Sequence, residues 1–154
     1  MTATSIMNEL APSTAAAEDA WQLPEHLVIL RDTVQRFMQR EVLPIEDTLE
    51  HDAYQVPEAQ LKPLEAKAKA ADLWCFRTPE AYGGAGLTLL GQAVVAEETA
   101  KCRMGAYVPG CGAFGADPPN VIFKGSPEQI DMYARPAVER GKKREEQMRA
   151  KYAR

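Results

Sequence analysis

The sequence predicts an all-α protein, an up-and-down or orthogonal helical bundle, and three observations point there. Of its 154 residues, 24 are alanine and only 26 are Leu, Val or Ile, a composition that suits close-packed helices better than a β-sandwich. Apolar residues recur at spacings of three and four along several segments, whereas strict alternation is missing. Helix-start signals also stand where those segments begin. The length fits one domain, and no apolar run approaches the roughly 20 residues needed to span a bilayer.

The elements follow in order. Residues 1–22 are rich in Ala, Thr and Ser and read as a disordered segment. A helix opens near Pro24, whose missing N–H costs nothing in a first turn. Leu27, Leu30, Val34, Phe37 and Met38 form its inner stripe, Arg31, Gln35, Arg36 and Gln39 its outer face, and Pro44 is expected to stop it. A second helix covers 58–71, with Leu61, Leu64 and Ala68 inward. Pro63 requires either a later start or a kink. Thr88 reads as the N-cap of a helix reaching about Arg103, and Ser126-Pro127-Glu128-Gln129 as a capping box for a helix ending near Arg135, before Pro136. A charged tail, 144–154, follows the domain at 23–143.

Charge and chemistry mostly exclude. Residues 1–139 hold 11 basic and 20 acidic side chains, and 140–154 hold seven basic and two acidic. An acidic body argues against a nucleic-acid partner. Cys75, Cys102 and Cys111 form no CxxC pair, so neither a disulfide framework nor a zinc ribbon is indicated, and no metal ligands are assigned. His26 and His51 stand apart among polar residues and read as solvated. With no signal or transit peptide, a cytoplasmic location is the default. Gly110-Cys111-Gly112-Ala113-Phe114-Gly115 matches G-x-G-x-x-G but lacks a surrounding βαβ unit, so a close-packed glycine-rich turn is the expectation. Glu97-Glu98 cannot jointly flank one atom, because adjacent helical residues point about 100° apart. One should be exposed, and the other can bond a neighbouring loop. No catalytic residue emerges.

Four features in sequence make the chain resemble the N-terminal α-helical domain of FAD-dependent acyl-CoA dehydrogenases. They are the first helix ending Arg40-Glu41-Val42-Leu43-Pro44, the segment Pro79-Glu80-Ala81-Tyr82-Gly83-Gly84-Ala85-Gly86-Leu87, the pair Glu97-Glu98, and Gly125-Ser126-Pro127-Glu128-Gln129 with Tyr133 and Pro136. The resemblance implies a helical domain followed by a β-domain and a C-terminal bundle, FAD between the latter two, and usually a homotetramer. A glutamate of the C-terminal domain takes the α-proton of an acyl-CoA thioester, and the flavin takes the β-hydride. The N-terminal domain helps wall the acyl pocket. By position, Tyr107, Val108 and Cys111 are the wall candidates, although Pro109 and its neighbouring glycines replace a typical helix there. Beyond Lys143 the family continues into a flavin-contacting strand, whereas this chain runs Arg144-Glu145-Glu146 to Arg154. The expectation is therefore a truncated or split chain, without bound FAD and inactive alone. The alternatives are a non-catalytic module that associates with itself or with a full-length dehydrogenase subunit, and the product of a frameshift near residue 143.

Overall fold

The computed structural model describes residues 22–140. All but one residue of the predicted N-terminal segment and all of the charged tail lie outside this range. Among the described residues every regular element is helical and no strand occurs.

Helix α1 (Glu25–Phe37) carries the predicted stripe inward: Leu27, Val34, Phe37 and the following Met38 are buried. Pro44 does not stop the helix. A π-helical turn at Met38–Val42 comes first, and α2 (Leu43–Glu46) then holds Pro44 in its first turn. The wider π register gives the pyrrolidine ring room that an α register denies it. The same arrangement recurs near the other end. The capping box opens α5 (Pro127–Gln129), a π-helical turn covers Ile130–Ala134, and α6 (Arg135–Arg140) contains Pro136. In both places the π turn ends two residues before the proline, and the expected stop becomes a change of helical register.

Helix α3 (Glu58–Ala70) begins where the sequence placed it, with Pro63 inside. Pro63 and Ala59, whose carbonyl loses the α-helical bond, are both exposed, so the lost bond falls on the solvent side of the helix, where it costs least. Leu61, Leu64 and Ala68 face the core. Helix α4 (Leu89–Thr99) is capped by Thr88, whose hydroxyl accepts the Gly91 N–H at 3.3 Å. It ends four residues earlier than the sequence predicted, and turns replace its last part. There the Cys102 thiol lies 3.4 Å from the Thr99 carbonyl, and Gly105 N–H bonds the Cys102 carbonyl at 2.9 Å.

Helix α1 packs along α4. The main core gathers Val34, Phe37, Met38 and Val42 with Leu61, Leu64 and Ala68 of α3, Val95 of α4, and Phe76 and Phe114 from the connectors. Phe114 lies between Phe37 and Phe76, with ring centroids 5.3 and 5.2 Å away. A fully buried side chain such as Leu64 contributes roughly 1.5–3 kcal/mol.

The connector 73–87 is a built element. Cys75 N–H donates to the Phe114 carbonyl, while Ala85, Gly86 and Leu87 donate to Cys75, Thr78 and Phe76 in turn. Its Tyr82 stacks on Phe123 at 4.8 Å. A second, smaller cluster joins Trp74, Cys75 and Val138. The Trp74 indole N–H donates to the Val138 carbonyl at 2.9 Å, and Lys69 lies over the same ring, so α6 is fastened to the end of α3.

Candidate functional site: an apolar groove beside the glycine turn

A groove of about 580 Å³ opens between α4, the connector and the loop that follows α4. Phe76, Val95 and Phe114, all core residues, form its floor together with Ala96, Thr99 and Val108. Its rim is polar, with Glu65, Arg77, Gln92 and Asp117. The helix period explains the α4 contribution: Gln92, Val95, Ala96 and Thr99 recur at spacings of three and four, so one face of the helix lines the groove.

Asp117 fixes one end. Its Oδ1 accepts the N–H of Arg77 at 3.1 Å, the N–H of Thr78 at 2.9 Å and the Thr78 hydroxyl at 2.8 Å. The Arg77 guanidinium lies 3.5 Å from Oδ2. One carboxylate thus ties the connector to the loop, and the fully buried Thr78 hydroxyl finds its partner there. Gln92 is held by its amide, which donates to the Leu87 carbonyl at 2.8 Å.

The three wall candidates are placed differently. Tyr107 lines the groove but stands 92% exposed, so most of its ring meets solvent. Val108 lines it while half-buried against the core. Cys111 is not among the lining residues; it is 2% exposed, and its thiol points to Glu46 at 3.8 Å. Cys111 has a φ of +56°, which turns its side chain inward instead of along the groove. Sequence reading missed Phe76, Val95, Phe114 and Asp117, although the period of α4 could have found Val95. The acidic pair is divided: Glu97 is exposed, and the buried Glu98 pairs at 2.7 Å with Lys101 in the turn that follows its helix. His26 and His51 are both exposed.

The glycine run beside the groove does not fit FAD. Gly110 sits at φ +58°, where an added Cβ would overlap the Phe114 ring; at Gly115 the Trp74 ring lies 2.8 Å from that position. The glycines admit aromatic rings, not a pyrophosphate. The amides of Cys111, Ala113 and Gly115 are already committed to the carbonyls of Val108, Gly110 and Gly112 at 2.9, 3.0 and 3.4 Å. Those three amides are therefore not free to hold a pyrophosphate as a dinucleotide fingerprint requires.

Comparison with known proteins decides the family. Residues 24–140 match the family model described as acyl-CoA dehydrogenase, N-terminal domain. The chain belongs to that family. No curated protein and no solved structure gives a significant match. The acyl-CoA dehydrogenase N-terminal domain thus accounts for the described helices from α1 to α6, and for the connector whose Pro79–Leu87 segment carries the resemblance. Enzymes of this family depend on FAD in general. No helix among the described residues is long and apolar enough to cross a membrane.

Proposed function

We propose that this domain forms a helical wall of the acyl pocket in acyl-CoA dehydrogenation, the groove receiving the apolar part of an acyl chain. The observation that carries this is the groove itself. It has a mostly apolar floor of Phe76, Val95, Val108 and Phe114, with the charged side chains Glu65, Arg77 and Asp117 at its rim, in a domain of this family. An alkyl chain gains roughly 0.8 kcal/mol per buried CH2 on such a floor. Val108 is the contact residue, Tyr107 a flap at the rim, and Cys111 a support behind the wall. The chain by itself neither holds FAD nor oxidises a thioester, a reading supported by the glycine run's commitment to Phe114 and Trp74. Its setting is fatty-acid metabolism, in the cytoplasm, and its three free cysteines agree with a reducing compartment.

The test is a titration of the purified 154-residue chain with acyl-CoA thioesters of increasing length, followed by amide NMR and by absorbance in the flavin band. Shifts should centre on Val95, Ala96, Val108 and Gly112 and grow with chain length, with no flavin and no reduction of a dye acceptor. Shifts that avoid the groove, or flavin copurifying in stoichiometric amount, would overturn the proposal.

A second reading, a module that associates with itself or with a dehydrogenase subunit, draws on exposed apolar side chains. Leu89, Val121 and Met132 are 83%, 73% and 62% exposed. Isolated apolar residues are ordinary on a surface, whereas a contiguous patch drives association. Sedimentation at rising concentration separates the two: a strict monomer rejects self-association.

A further inference from the structure

We propose that Glu46, Cys102 and Cys111 form a buried site for a divalent thiophilic cation, zinc being the best match. The three residues are far apart in sequence and belong to three segments: the end of α2, the turn after α4 and the left-handed turn at Gly110-Cys111. Folding brings one ligand atom from each within 4.8 Å of the others, all of them buried. Zinc bound at about 2.3 Å to sulfur and 2.0 Å to oxygen needs sulfur–oxygen separations of roughly 3.5 Å. The Cys111 Sγ to Glu46 Oε1 distance is 3.8 Å, so only a small closure is required.

Two further observations favour a cation. Glu46 is 9% exposed; its carboxylate accepts the Met104 N–H at 3.4 Å and lies 3.8 Å from the Cys111 thiol, and it forms no ion pair among the described residues. A buried carboxylate without a positive partner is costly, and a metal supplies one. The backbone of Cys111 is also held at φ +56°, a conformation uncommon for a non-glycine residue, and this aims its sulfur at the cluster.

Binding is balanced simply. Two S–H bonds ionise, two protons leave to solvent, and two thiolates and one carboxylate bind the cation; water fills the fourth position. Two thiolates and a carboxylate select zinc over magnesium or calcium, which prefer all-oxygen sites. The metal would staple α2 to the loop bearing Tyr107 and Val108, so its role is to hold the groove wall.

The experiment uses cobalt(II) and zinc with the purified chain under reducing conditions. Cobalt should give one equivalent of a tetrahedral spectrum with a thiolate charge-transfer band, displaced by zinc, and zinc should release two protons and raise Tm. C102S, C111S and E46Q should each lose the band, and C75S should keep it. Because a core variant can misfold, the unmodified chain decides independently: alkylation followed by peptide mapping should show Cys102 and Cys111, but not Cys75, protected by zinc. An absent band, no zinc protection of Cys102 and Cys111, or a band that survives C102S and C111S overturns the site. The outcome is independent of acyl-chain binding.

Discussion

Replacing Asp117 tests how the connector is held to the groove loop. Its Oδ1 accepts three hydrogen bonds between 2.8 and 3.1 Å, two from backbone amides and one from the buried Thr78 hydroxyl. Hydrogen bonds to a charged group contribute roughly 1.5–3 kcal/mol each, and those sharing one acceptor add less than their sum. The Arg77 ion pair adds little, because the Arg77 side chain is 57% exposed. Asp117→Ala removes the shared acceptor of all three donors, among them the buried Thr78 hydroxyl, so it should cost about 3–4 kcal/mol. Asp117→Asn keeps an acceptor and loses the charge, and should cost about 1–1.5 kcal/mol. Urea unfolding followed by circular dichroism measures both, with an unchanged m-value confirming that stability alone has changed. If Asp117→Ala costs less than about 1 kcal/mol, or if Asn is as damaging as Ala, the three-bond account is wrong.

Leu64→Ala, at a side chain only 1% exposed, should cost about 2–5 kcal/mol in the same assay, whereas Leu90→Ala at a half-exposed site should cost under about 1. Ser126→Ala breaks a reciprocal pair, Gln129 N–H to the Ser126 hydroxyl and Ser126 N–H to the Gln129 side chain, and should cost about 1 kcal/mol. Burial first, and the Asp117 charge second, push the Cys75 thiol from 9.0 to about 12. A thiol whose folded pKa is raised keeps its proton in the folded chain while the unfolded chain loses it. Stability should therefore decline as pH rises from about 9 towards 12, and Cys75→Ala should decline less steeply. Alkaline urea titrations check this, and equal slopes would refute it.

Much of the helical content was legible because local signals and burial agree. The stripe Leu27, Val34, Phe37 of α1 and the Leu61, Leu64, Ala68 face of α3 are buried as their spacing requires. The Thr88 cap and the Ser126 box depend on neighbours within three residues, so sequence alone contained them. The prolines were misread as stops at Pro44 and Pro136. A proline forbids an α-helical hydrogen bond, but the rule does not say whether the chain breaks or shifts register, and packing of Met38, Val42, Ile130 and Ala134 into the core keeps the chain helical. The early end of α4 had a similar cause. Cys102, Met104 and Gly105 are buried, and they turn inward to meet the Glu46 region where a continued helix would have passed by.

The sequence by itself determined the helical class, the cap positions, the connector motif and the family, since each is written in residues near one another along the chain. The tertiary structure decided what those residues surround. Asp117 reaches Thr78 across 39 positions, and Glu46 reaches Cys111 across 65. Neither meeting has any periodic or spacing signature, because it arises only when the apolar faces of α1, α3 and α4 close on one core. That closure forms the groove floor and brings two cysteines and a carboxylate together, because burial acts on surface area and is indifferent to distance along the chain.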